Sequence, residues 1–232
     1  MNLTVLNRPS LFEALLPTLG EQPFLLTAIG GGGKTSLLTT LAKEAQTRHI
    51  PTLLTTTTHM RATEEAELSG EVSTILQRME ENFLCFCGLP AANGKLKGLP
   101  EETFGAVFPH SSLTLVEGDG SRGLPLKIPG AREPVVPTQT HKLVLVCGMS
   151  AMGKPLQEVC HRWELSGRNG EERVTPKLAA ELVKFGYLSR FSLENITLVL
   201  NQCDTPKEEA LACELAGELG CENYLLTKAT ES

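Results

Sequence analysis

Seven apolar runs with β-branched or aromatic residues recur along the chain, at residues 24–29, 50–59, 83–87, 112–116, 142–147, 196–200 and 223–227. Each has the length and composition of a strand. Segments with apolar residues at three- and four-residue spacing lie between them. Residues 36–45 and 62–81 read as helices, the second with polar breaks, and 100–104 as a short helix opened by Pro100. Leu178, Ala179, Leu182, Val183 and Phe185 form one helical stripe; Leu211, Ala212, Leu215, Ala216 and Leu219 form another. This alternation predicts an α/β fold with a mostly parallel central sheet flanked by helices.

Local signals punctuate the pattern. Ser10-Leu11-Phe12-Glu13 has capping-box spacing, so a short helix is expected there, limited or kinked by Pro17. Thr175-Pro176 and Thr205-Pro206-Lys207-Glu208 supply a cap and a first-turn proline to the last two helices. Asn93-Gly94 marks 88–98 as a loop or hairpin. Residues 124–137 hold four prolines, too many for a helix or central strand, and read as an ordered loop or small lid at about 120–140. Residues 162–173 are polar and read as loop. No repeat or linker divides the chain, so residues 1–232 are expected to form a single domain.

Composition narrows the class. The net charge is −6, from 21 basic and 27 acidic residues, which argues against a nucleic-acid-coating surface. No apolar run reaches the length of a membrane span, and residues 1–9 lack a signal-peptide pattern. Seven cysteines with no C-x-x-C spacing point to a reduced, cytoplasmic protein.

The chemistry gathers at three strand ends. The first run leads into Gly30-Gly31-Gly32-Gly33-Lys34-Thr35-Ser36 and a helix. Strand, Gly-rich loop and helix make a phosphate-binding P-loop, in which backbone N–H groups face phosphate oxygens, Lys34 reaches the β- and γ-phosphates and Thr35 ligates Mg²⁺. Ala28 stands where the full pattern begins with Gly. Glu117-Gly118-Asp119 follows the fourth run, and a carboxylate there suits the magnesium shell. One of the pair is expected to serve the metal, the other to orient water or substrate. Arg122, Lys127 and Arg132, in the proline-rich stretch, are candidate phosphate clamps or contacts to a second substrate. Thr56 and Thr57, at the tip of the second run, could face nucleotide, substrate or partner; His59 beside them reads as an ordinary loop histidine at least as readily as a catalytic one. Cys85 and Cys87 share a strand face, but two thiols are too few for a closed zinc site.

Together these signals resemble a P-loop NTPase. Asn201-Gln202-Cys203-Asp204 resembles the Asn-Lys-x-Asp element that reads guanine in GTPases. That resemblance gives Asp204 the contact to the base and Asn201 the bracing role, and it favours GTP over ATP by a narrow margin, with Gln202 in place of the Lys. The strand-Glu-Gly segment at 113–118 is similar to the dethiobiotin synthetase and metallochaperone GTPase branch, whose Glu serves the magnesium site. A narrower resemblance spans nearly the whole chain. The Gly30–Thr35 loop, Thr55-Thr56-Thr57-Thr58, the segments 116–127 and 133–137, Gly153-Lys154-Pro155-Leu156 and the Asn201 segment look like the YqeC family. Its members are described as accessory proteins of selenium-dependent molybdenum hydroxylases, which implies a role in maturing such an enzyme or its cofactor.

The leading expectation is an Mg²⁺-dependent GTP- or ATP-binding protein and slow NTPase, with Lys34, Asp119 and Arg122 at the reacting phosphate. Its partners would be the nucleotide and a molybdenum hydroxylase or a selenium/molybdenum cofactor enzyme, without nucleic acid or membrane; a homodimer stays open. A small-molecule kinase or nucleotidyl-transfer enzyme with an anionic substrate is one alternative. A non-catalytic nucleotide-responsive adaptor is the other.

Overall fold

The computed structural model describes residues 3–229 apart from 7, 18 and 21. Among the described residues thirteen strands are formed: β1 (Leu3–Val5), β2 (Phe24–Gly30), β3 (Thr52–Thr56), β4 (His59–Arg61), β5 (Leu84–Phe86), β6 (Leu89–Ala91), β7 (Lys95–Lys97), β8 (Leu113–Glu117), β9 (Leu126–Lys127), β10 (Lys142–Gly148), β11 (Cys160–His161), β12 (Ile196–Asn201) and β13 (Tyr224–Ala229). The helices are α1 (Leu11–Leu15), α2 (Lys34–Thr47), α3 (Val72–Asn82), α4 (Glu101–Val107), α5 (Leu156–Val159), α6 (Pro176–Val183) and α7 (Pro206–Leu219).

Eight strands make the central sheet in the order β1-β13-β12-β10-β2-β8-β3-β5. Every neighbouring pair is parallel except β1–β13. The fold is thus mixed α/β with a large, mostly parallel sheet flanked by helices. Strands buried on both faces read as continuous apolar runs, and β2, β8 and β10 do so. On one face, Leu37, Leu38, Leu41 and Ala45 of α2 pack on Leu26, Leu115 and Val146. On the other, Leu178 and Leu182 of α6 and Leu215 of α7 pack on Leu145, Leu198 and Leu200. β2 lies between β8 and β10, and the chain runs first to one side of it and later to the other. Ligands of open parallel sheets bind at the carboxyl ends beside such a reversal.

The expected caps form. Ser10 accepts from the Glu13 N–H at 3.2 Å, Thr175 from Leu178 at 3.2 Å, and Thr205 and Glu208 complete a capping box on α7. Residues 88–98 form the hairpin β6–β7, joined by β4 into a three-stranded antiparallel sheet. Three expectations need correction. The second run ends as a strand at Thr56 and resumes as β4. The helix expected over 62–81 is only α3, because Gly70 turns the chain at φ +71° and Glu67 bridges to Cys87. Phe185 is 56% exposed, since α6 passes into a π-helical turn at Lys184–Leu188 that shifts the stripe and buries Tyr187 instead. The proline-rich stretch is built into the body: Leu126 and Ile128 join the core, and β9 pairs with β11.

Candidate functional site

The Gly30–Thr35 loop leaves β2 and turns into α2. Gly32 requires the absence of a side chain, because at φ +79° a Cβ would lie 2.3 Å from the Gly148 nitrogen. Gly33, at φ 111°, caps α2 in the left-handed region, which non-glycine residues adopt only with strain. Three N–H groups of the loop turn inward. Gly30 donates to Asp119 at 3.1 Å, Gly31 to the Val146 carbonyl at 2.9 Å and Gly32 to Leu124 at 3.0 Å. The glycines expected to cradle phosphate are therefore partly committed to fixing the loop. The N–H groups of Gly33, Lys34, Thr35 and Ser36, at the helix N-terminus, donate no hydrogen bond among the described residues. Their N–H groups and the helix dipole form the anion-attracting end.

Lys34 is buried, with Nζ 2.5 Å from the Gly30 carbonyl and 3.2 Å from Asp119 Oδ1. Thr35 donates to Glu117 Oε2 at 2.6 Å. Strand alternation sets this contact, since Glu117 and Leu115 share the sheet face that α2 covers. Burial raises the Glu117 pKa, outweighing the lowering by Lys34 and by the Thr35 hydroxyl.

Asp119 has a different part. Besides Gly30 and Lys34 it receives the Tyr187 hydroxyl at 3.0 Å and lies 3.4 Å from Lys127 Nζ. A carboxylate so ringed by donors suits an anchor better than a metal ligand. Lys127 also contacts Glu133 at 2.8 Å and donates to the Gly120 carbonyl at 2.6 Å. Glu133 pairs with Arg162; burial opposes its charge, but Lys127, the Gly130 N–H and Arg162 together lower its pKa. His161 is held below its ordinary value by burial and then by Arg162, Lys127 and Arg122. Four bases thus gather beside the loop.

Other candidates are dispersed. Asn201 donates to the Gly32 carbonyl at 2.6 Å and accepts from Thr227 at 2.8 Å, bracing the loop from β12. Asp204 is exposed and accepts from the Ala229 N–H at 3.2 Å. Thr56 donates to the Glu117 carbonyl at 2.8 Å and Thr57 to the Val135 carbonyl at 2.7 Å. Arg122 is exposed at φ 55°. Arg132 is exposed and makes no side-chain hydrogen bond or ion pair among the described residues.

No sequence signal marked Tyr187, whose position depends on the π-turn, or the approach of His161 and Arg162, which depends on the β9–β11 pair. Glu133 could have been noticed as the only acid among the bases of the proline-rich stretch. A magnesium ion would fit Thr35 and Glu117, hard oxygens 2.6 Å apart, with water and phosphate completing the shell. Among the described residues no group of three or more His, Cys, Asp or Glu side chains could hold a metal by itself. All seven cysteines are free thiols, and no helix of the described residues is long and apolar enough to cross a membrane.

Comparison with known proteins bears on kinship. A protein of Escherichia coli (strain K12), named as an uncharacterized protein YqeC, is 34% identical over 171 residues, covering 65% of this chain and 63% of the relative. The match thus spans less than two thirds of that relative's length. The family model described as YqeC protein matches residues 26–164, from β2 through β8 and the proline-rich stretch to the bases beside it. The chain therefore belongs to the YqeC family.

Proposed function

We propose that the chain is a P-loop NTPase that binds Mg²⁺ with GTP or ATP at the Gly30–Thr35 loop and hydrolyses it slowly. The observation that carries this reading is the joint bracing of one loop by two other strand ends: Glu117 at the end of β8 and Asp119 just past it hold Thr35, Gly30 and Lys34, and Asn201 at the end of β12 holds Gly32. The N–H groups of Gly33, Lys34, Thr35 and Ser36 bind phosphate oxygens. Lys34 Nζ exchanges the Gly30 carbonyl for a phosphate oxygen while Asp119 keeps it in reach. Thr35 and Glu117 hold the metal, which when bound neutralises phosphate charge. Lys127 and Arg122 add positive potential where charge develops. The purpose of turnover, maturation of a selenium-dependent molybdenum hydroxylase or its cofactor, rests on the family resemblance.

A second reading is transfer of a phosphoryl or nucleotidyl group to an anionic small molecule. The group Arg122, Lys127, His161 and Arg162 beside the loop favours it. Equilibrium binding of GTP, ATP and CTP, with and without Mg²⁺, tests the common core. Wild type is expected to bind at least one of them in the presence of Mg²⁺, and Lys34→Ala to lose that binding. Folded wild type that binds none overturns the reading. Acceleration of turnover by a small anion selects the transferase over the NTPase.

A further inference from the structure

A cavity opens beside β3 and β8 on the sheet face turned away from α2. Its volume is about 800 Å³, within the range that takes a small organic ligand. Thr55 lies opposite Val116 in the β3–β8 register, and both line the cavity. Strand alternation turns these two away from α2 and Glu117 toward it. The cavity and the phosphate loop thus share the ends of β3 and β8 but use opposite faces. Leu99, Phe104, Val135 and Val136 supply apolar walls.

Two independent observations ask for an occupant. Thr55 Oγ1 is buried without a hydrogen-bond partner, the single such side-chain atom among the described residues, and Thr55 is 2% exposed. Buried hydroxyls are almost always satisfied, so a ligand atom here would supply the missing bond. The rim is basic. His59 lies directly across from Lys97, and Arg61 across from Lys95, on the outer face of β4–β7. Arg61 and Lys95 are like charges placed opposite one another, which costs stability. None of these four has an ion-pair partner among the described residues. In a chain of net charge −6 such a face attracts anions. Glu101 is the one acid of the lining and is exposed at the start of α4.

We propose that this cavity binds a small organic anion. The acid group meets His59 and Lys97, an apolar body lies along Phe104 and Val135, and a hydrogen-bonding atom reaches Thr55 Oγ1. The site goes beyond the nucleotide reading and does not depend on it, so the test is made without nucleotide. The probes are nicotinate and quinoline-3-carboxylate, each paired with its carboxamide, titrated into the full chain and followed by amide NMR shifts. At least one acid is expected to saturate, with shifts at residues 55–59, 97–105 and 135–139, and its amide to bind roughly tenfold more weakly. Lys97→Gln is expected to abolish the preference for the acid. Thr55→Val, nearly the same shape without the hydroxyl, is expected to weaken acid and amide alike by about tenfold while leaving the NMR fingerprint folded. The proposal is overturned if no probe saturates by about 10 mM, if acid and amide bind equally, if shifts map elsewhere, or if folded Thr55→Val binds as wild type.

Discussion

Tyr187→Phe removes one buried hydroxyl and changes little else in shape. The phenol donates to Asp119 Oδ2 at 3.0 Å, and burial, followed by the Asp119 charge, pushes its pKa well up. It therefore stays a donor throughout the neutral range. A hydrogen bond to a charged acceptor contributes about 1.5–3 kcal/mol. Asp119 keeps Gly30, Lys34 and Lys127 in the variant, so the expected loss lies near the lower end, about 1.5–2 kcal/mol. For a chain of this size each kcal/mol moves Tm by about 2–4 °C, giving a fall of about 3–8 °C. Calorimetry measures the shift, and urea unfolding should show a lower midpoint at unchanged slope. A double-mutant cycle with Asp119→Asn should return a coupling of about 1 kcal/mol or more. A Tm change below about 1 °C, or no coupling, would refute the assignment of Tyr187 as a support for the Asp119 anchor.

Glu117→Gln should stabilise the protein near neutral pH. The raised pKa means that the folded state holds its proton more tightly than the unfolded chain, so wild type loses stability as pH rises from the ordinary value of 4.5 through the folded pKa. The variant should lack that loss, and the two should converge at lower pH in thermal scans; Mg²⁺ affinity, which needs the carboxylate charged, should rise with pH in wild type and vanish in the variant. Asn201→Ala leaves the Gly32 carbonyl and the Thr227 hydroxyl without their partner and should cost about 1–3 kcal/mol in chemical denaturation, with weaker nucleotide binding. Gly32→Ala should abolish nucleotide binding, because its Cβ would overlap the Gly148 backbone. Gly217→Ala, in α7 with open space around the new methyl, should instead raise stability by about 0.5–1 kcal/mol.

The features legible in the sequence were those specified by residue type at short spacing. The glycine loop, the caps at Ser10, Thr175 and Thr205, and the buried parallel strands each need particular residues within a few positions. Features held by distant partners were not legible. β1 is three residues long and becomes a strand by pairing with β13, which nothing around Leu3 announces. The part of Asp119 could not be separated from that of Glu117 in Glu-Gly-Asp alone. Their division follows from which one alternation turns toward α2 and which one Tyr187, Lys34 and Lys127 surround. Thr55 looked like an ordinary strand threonine, and only the packing around it leaves its hydroxyl unpaired.

The Asn201 brace also sets an order of events during synthesis. It joins the Gly32 carbonyl to a residue 169 positions later. At about 5–20 residues per second, roughly 8–35 s pass on the ribosome between the making of the loop and the arrival of its brace. The flanking strand β10, whose Val146 carbonyl takes the Gly31 N–H, also emerges long after the loop. A nascent chain therefore carries the Gly-Lys-Thr segment well before it has the braced loop, and the nucleotide capture proposed for that loop would belong to the finished protein.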